Sequence, residues 1–404
     1  MEYIITNDKE IEKELNISVP CAELERFIDR EIKKLQKELT LKGFRKGKVP
    51  KEIIKSRYRD TLKSQAMHSL ITDSFLKVVR EKNWRPVSQA ELLNLEEGED
   101  IKFQLRVEVI PDFEVENYLG LELFKEEALP EDYLLNQALQ ELQEQYAVVK
   151  EVSRPAVVDD IVTMNLTILK DGKIENNQKN IAVKIGNRSL PDELNRALVG
   201  VKKSETKEVK AGEKIYKIKI KKIEERILPQ IDEQFARKQN YENLEQLKKK
   251  LLENAKALEE KRQEEELKDS LSRILLERIN FKVPKILIEN EYNKILSRME
   301  LKDSDANKER FMETAEKRAR LNIILDRIAE KEKITIKEGE VKNLISALGI
   351  KVTEENRINL LNYFTDILTR EKTIDFLFKH AKINERSRII SPKEARDDTR
   401  TVRH

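Results

Sequence analysis

The spacing of apolar residues changes along this chain, from mixed strand and helix periods, through short alternating stretches, to long helical stripes. Residues 11–19 alternate, with Ile11, Lys13, Leu15, Ile17 and Val19 on one side, which predicts a strand. Pro20 then starts a helix whose Leu24, Phe27, Ile28, Ile32, Leu35 and Leu39 follow the 3.6-residue period. A second long helix is predicted from Pro50 to about residue 82, carrying Ile54, Tyr58, Leu62, Leu70, Phe75 and Val79. Residues 101–109 alternate as a half-buried strand, and Pro111 closes the segment. The simplest assembly for residues 1–115 is two helices held by a small sheet, with their connecting loop at the far tip.

Residues 116–149 read as a connector, an extended piece followed by a helix from about Pro130 to Gln145. From 150 to 225 the texture turns to short strands at Asp160–Leu169, 181–185 and Lys214–Ile223. The Asp171-Gly172 pair suits a tight hairpin, and Pro191–Leu198 suits a short helix ending at Gly200. In the last strand Ile215, Lys217, Lys219, Lys221 and Ile223 are placed on one face, and Tyr216, Ile218 and Ile220 on the other. Residues 226–382 read as helices, among them a long amphipathic one marked by Leu244, Leu247, Leu251, Ala255 and Leu258. Others fit 284–299, 305–331, 338–348 and 354–382. Residues 383–404 form a charged tail expected to be disordered. The fold class is therefore a helix-rich multidomain α+β chain: an α/β module, a small α+β insert and an all-helical region.

Composition narrows the chemistry. The 404 residues suit two to three domains, and 38% charged residues with only ten glycines suit a helix-rich chain. No apolar run reaches the ~18 residues of a membrane span. The opening MEYIITNDKEIEKEL has neither a basic start nor an apolar stretch of the secretory kind, so a cytoplasmic location is expected. Cys21 has no partner for an internal disulfide. His68, His380 and His404 lack a second ligand at helical spacing, and no glycine-rich phosphate loop or Ser/His/Asp pattern is visible. The sequence predicts no metal and no cofactor.

One loop breaks the pattern. Gly43, Phe44, Arg45, Lys46, Gly47, Lys48, Val49 and Pro50 place a ring and two cations between glycines and a third cation just after them, with a helix on either side. Such a loop either presents its ring and cations outward as a docking tip or tucks Phe44 back into the core. Between Lys33 and Arg59 stand eleven Lys or Arg against Glu38 and Glu52, a local charge of +9 in a chain whose net charge is +3. Charged helix faces elsewhere in the chain alternate in sign. A basic patch interleaved with Phe44 and Tyr58 favours contact with a phosphate backbone, hence RNA at or beside the loop.

With these motifs placed, the chain resembles the bacterial trigger factors, ribosome-associated chaperones. GFRKGKVP at 43–50 is similar to the family's ribosome-binding motif, and IPDF at 110–113 to the exit from its amino-terminal domain. IKKIEERILPQID at 220–232 and NFKVPKILIENEY at 280–292 resemble its passage into the helical arms and the start of the second arm. The resemblance implies a ribosome-binding domain at 1–115, a linker and connecting helix at 116–149, a reduced FKBP-like domain at 150–225 and helical chaperone arms at 226–382. It implies that Phe44, Arg45 and Lys46, within Gly43 to Lys48, dock on protein and RNA of the large ribosomal subunit beside the exit tunnel. Other implied partners are unfolded nascent chains and, off the ribosome, a second copy of the chain. The implied activity is an ATP-independent chaperone that holds newly made chains open during folding or export. The family's peptidyl-prolyl isomerase activity is the alternative.

The middle segment departs from the family. Tyr216 is the only aromatic between residues 147 and 226. The family's strand Phe appears as Leu166, and the Gly after it as Ile168. Its Ile-Pro-Gly-Phe segment appears as Leu190, Pro191, Asp192, Glu193 and Leu194, and its Tyr-bearing loop shrinks to Val209–Lys214. Leu166, Leu190, Leu194 and Tyr216 are what remains of a prolyl pocket, and the missing rings argue against catalysis at family-like rates. A helical scaffold or nucleic-acid binder unrelated to nascent chains stays open as a third reading.

Overall fold

The computed structural model describes residues 1–42, 44–170, 172–187 and 190–387. By internal packing they form two compact units, Met1–Lys125 with Glu266–Glu385, and Glu126–Glu265 with the chain from Arg386. No helix among the described residues is long and apolar enough to cross a membrane.

The chain opens with β1 (Glu2–Asp8) and β2 (Glu12–Pro20), then α1 (Cys21–Glu38), α2 (Lys51–Arg57) and α3 (Arg59–Lys82), then β3 (Glu91–Glu97) and β4 (Asp100–Glu108). The four strands pair antiparallel in the order β1-β2-β4-β3. The alternation of β2 and β4 sends Leu15, Ile17, Val19, Ile101, Phe103, Leu105 and Val107 to one face. There they meet Leu24, Phe27, Ile28 and Ile32 of α1 and the apolar stripe of α3. Two differences from the sequence reading stand out. Strand β1 escapes it because Ile4, 70% exposed, puts an apolar residue on the solvent face and blurs the alternation. The predicted second helix is divided at Tyr58, whose φ of −119° lies off the helical value, and Ile54 and Leu62 on either side are both fully buried.

Strand β5 (Glu122–Glu126) and helix α4 (Glu131–Gln145) follow, then β6 (Val148–Glu151), β7 (Ile161–Lys170), β8 (Lys173–Lys184), α5 (Asp192–Leu198), β9 (Thr206–Ala211) and β10 (Lys214–Ile227). Strands β6, β10, β7 and β8 pair in that order, and β9 joins β10. Of the predicted hairpin pair, Gly172 has φ +73° between β7 and β8, while Asp171 lies outside the described residues. Strand β8 is much longer than the predicted 181–185, because its Asn- and Lys-rich first half lacks an apolar signal. The predicted facing of β10 needs correction. A register shift between Ile220 and Lys222 inserts one residue, so Ile223 joins Ile218 and Ile220 in the core.

Helices α6 (Glu233–Lys238), α7 (Leu244–Arg278), α8 (Lys285–Met299), α9 (Asp305–Glu332), α10 (Glu338–Ala347) and α11 (Arg357–Lys379) precede β11 (Lys382–Arg386). In the first unit Leu267, Leu271 and Leu275 of α7 pack with Ile323, Ile324 and Ile328 of α9, Leu377 of α11, and Leu121 and Leu123. Tyr118 donates its hydroxyl to Glu332 at 2.5 Å, and burial with that carboxylate pushes the phenol up to about 12. Residues 383–386, read as the start of a disordered tail, and Lys382, read as the end of the last helix, form β11 against β5, since an open strand edge gives their backbone polar groups partners. The rest of that tail from residue 388 lies outside the described residues.

Candidate docking site

The loop between α1 and α2 stands on a fixed base. Helix α1 ends as Leu39 turns extended, its N–H still donating to Leu35 O at 2.8 Å. Leu39 and Leu41 pack on the core, and Val49 on the returning leg is fully buried. Burying a valine contributes about 1.5 kcal/mol or more. Gln36, on the last turns of α1, donates Nε2 to Val49 O at 2.6 Å and so ties the two legs together. Pro50, with φ −57°, leads directly into α2.

The tip rises from this base through two tight turns, Phe44 N–H to Leu41 O at 3.0 Å and Lys48 N–H to Arg45 O at 2.9 Å. Gly47 takes φ +79° with open space where a Cβ would stand, so backbone conformation rather than contact requires glycine there. Phe44 is 39% exposed and stands outside the packed core, so its ring is not tucked back into it. Arg45, Lys46 and Lys48 are exposed. Among the described residues none of these three forms an ion pair. Of the eleven cations between Lys33 and Arg59, Lys34 pairs with Glu31 at 2.7 Å and Lys55 with Glu25 at 3.0 Å. The positive charge around the loop is thus largely uncompensated, the condition for attracting a polyanion. Gly43 lies outside the described residues.

The middle-segment candidates occupy one apolar cluster. Leu166 on β7 and Leu194 on α5 are buried in its interior, while Leu190 and Tyr216 are half-buried against it. Tyr216 on β10 lies opposite Ile168 of β7 and Val209 of β9. Sequence reasoning missed the polar tie beside this cluster. The Asp160 carboxylate, almost wholly buried, accepts from both terminal nitrogens of Arg154 at 2.6 and 3.0 Å and from Val157 N–H at 2.9 Å. Burial alone would raise its pKa, but the guanidinium and the amide outweigh burial and hold it below the ordinary value.

Sequence also could not say which apolar residues of the helical region stay uncovered. Leu348, Ile350 and Val352 are exposed in the loop after α10, where Gly349 turns at φ +65°, and Ile358 and Tyr363 are exposed on α11. The run LGIKV supplies the only hint, an apolar alternation inside a loop.

Comparison with known proteins places this geometry. Residues 1–142 match the family model described as bacterial trigger factor protein, and residues 243–379 match that for the bacterial trigger factor C-terminus. A trigger factor of Geotalea daltonii is 30% identical over 316 residues, 73% of each chain. One from Desulforapulum autotrophicum is 29% identical over 325 residues, 74% of this chain and 71% of its own. A solved structure of the trigger factor chaperone covers 94% of this chain and 99% of its own at TM-score 0.44 and 19% identity. The two family matches flank the middle segment, and the first takes in the whole basic loop. This chain belongs to the bacterial trigger factor family, the ribosome-associated chaperones.

Proposed function

We propose that the loop from Phe44 to Lys48 is the anchor by which this chaperone docks on the large ribosomal subunit beside the exit tunnel. The observation that carries this reading is a set of cations with no ion pair among the described residues and an exposed ring, raised on a base locked by Val49 and Gln36. A rigid base matters because a preformed tip gives up little conformational freedom on docking. Phe44 supplies apolar contact to ribosomal protein, and Arg45, Lys46 and Lys48 face RNA phosphates. In this reading residues 1–115 form the docking domain and 226–382 the chaperone arms, in the bacterial cytoplasm. The exposed Leu348, Ile350, Val352, Ile358 and Tyr363 offer unfolded chains weak, multiple contacts. Preferential binding of unfolded segments shifts folding by mass action and needs no nucleotide. Off the ribosome, a second copy of the chain is the remaining partner.

Residues 150–225 act in this reading as a reduced FKBP-like domain without effective isomerase catalysis. Leu166 and Leu194 fill its interior, and Tyr216 is its only ring. Acceleration of proline-limited refolding to the rate of an intact FKBP-type domain would overturn that part. The docking role is tested by cosedimentation with ribosomes, with and without a nascent chain, after Phe44→Ala, Arg45→Ala and Lys46→Ala together. The variant is expected to stay in the supernatant, and wild-type binding would remove the anchor.

A further inference from the structure

The first unit carries a cleft that none of the roles above uses. Helix α3 ends at Asn83, whose φ of 53° is left-handed, and Trp84 N–H then donates to Val79 O at 3.0 Å. That turn sets Trp84, the one tryptophan of the chain, half-buried against the first core. Ile110 N–H donates to Arg85 O at 2.9 Å and brings the segment from Val109 to Phe113 alongside. Between these residues and Ile323 of α9 lies a cavity of about 750 Å³, within the size range of ligand sites. Its apolar lining is Trp84, Val109, Ile110, Pro111, Phe113 and Ile323, and Phe113 is braced by stacking on Phe281 at 4.1 Å.

Every carboxylate on the wall already holds a cation. Asp8 pairs with Lys13 at 2.6 Å, Glu10 with Lys282 at 3.6 Å and Asp112 with Arg327 at 2.9 Å. Asp326 accepts two bonds from Arg370 at 2.8 Å, and Glu330 pairs with Arg85 at 2.8 Å. Among the described residues, the polar groups of the wall with neither a hydrogen bond nor an ion pair are the side chains of Lys82 and Asn83 and the indole N–H of Trp84. All three can donate. Lys13 stands over one face of the indole at 5.8 Å and the first core packs against the ring, so its edge is left for an occupant.

Charge and hydrogen bonding together select the occupant. A cationic segment finds no unpaired carboxylate, and an anionic one finds a single free ammonium among five carboxylates. An ordinary extended peptide brings an N–H at every residue, where the free groups of the wall are donors themselves. A proline-rich segment fits: each prolyl residue offers a carbonyl and no N–H, and its ring is apolar. Its polyproline II helix is also preformed, so little conformational freedom is lost on docking. A second copy of this chain cannot supply such a segment, because its ten prolines stand singly, far apart in sequence.

We propose that this cleft binds an uncharged, proline-rich segment of another protein in the polyproline II conformation. The test uses the full chain, whose single tryptophan makes its indole emission a reporter of the cleft. Titration with a blocked decaproline peptide is expected to shift that emission saturably. Affinity at least about tenfold above that for a blocked glycine-serine peptide of equal length is expected, because the glycine-serine chain is not preformed. Anisotropy of fluorescein-labelled decaproline then reads the variants. Asn83→Gly keeps the left-handed turn and removes the amide, and Trp84→Phe keeps a ring without its N–H. Each is expected to weaken binding about three- to tenfold, the worth of one hydrogen bond. Equal affinity for the two peptides, or decaproline affinity unchanged in both variants, would overturn the proposal. So would tighter binding of a blocked decaglutamate, which would make an anionic segment the occupant. Binding lost in Tyr216→Ala but kept in the cleft variants would overturn it too, since the peptide would then sit on residues 150–225.

Discussion

If the tip meets RNA phosphate, its charges set how steeply ribosome binding falls with salt. Arg45, Lys46 and Lys48 are exposed, and none is tied to an acid among the described residues, so docking costs no broken ion pair. Each cation that neutralises a phosphate adds about 0.7–0.9 to the slope of log affinity against log salt. Changing all three to alanine is therefore expected to reduce that slope by about 2–3. Between about 50 and 200 mM salt, wild-type affinity should fall about 20- to 40-fold more than that of the triple variant. Phe44→Ala should behave differently. A ring anchored in a partner pocket is worth about 2 kcal/mol, roughly 30-fold in affinity, with the slope unchanged. The assay is equilibrium binding of fluorescently labelled protein to ribosomes across a salt series, one slope per variant. An unchanged slope in the triple variant would refute phosphate contact by these cations, and a reduced slope in Phe44→Ala would refute the division of roles.

Gly47→Ala should leave the fold intact, because open space surrounds the missing Cβ, yet φ +79° costs an alanine about 1–2 kcal/mol. Ribosome affinity should drop by about tenfold, and Gly47→Asn, better suited to that conformation, should recover part of it; equal affinity of all three would show that the turn does not matter. Asp160→Asn should destabilise the middle sheet by about 2–3 kcal/mol in urea unfolding, below the full range for a buried pair because Arg154 is partly exposed. Its carboxylate titrates below its unfolded value, so the stabilisation is present above about pH 4 and is lost as pH falls through the folded pKa. The asparagine variant should accordingly show a flatter acid limb, and an identical limb would place the acid sensitivity elsewhere.

Much of this protein is written in local periods. The stripe from Leu24 to Ile32 specified α1 together with its buried face, and the alternation of residues 101–109 specified β4, because side-chain direction repeats every 3.6 or 2 residues whatever the surroundings. The basic loop, too, was visible as composition: a ring, three cations and flanking glycines between two helical stripes. What the sequence left open was settled by neighbours distant along the chain. Whether Phe44 points out or in depends on Val49 and Gln36 fixing both legs of the loop. Ile223 reached the core only through a bulge against β7, which no period within β10 encodes. The strand at Lys382–Arg386 exists because β5, more than 250 residues earlier, presents an open edge. Arg154 and Asp160 read as two unremarkable charges until packing buries one and aims the other at it. Repeat and composition are properties of the chain by itself, whereas exposure, register and charge pairing are set by which surfaces meet, and only the tertiary structure brings those together.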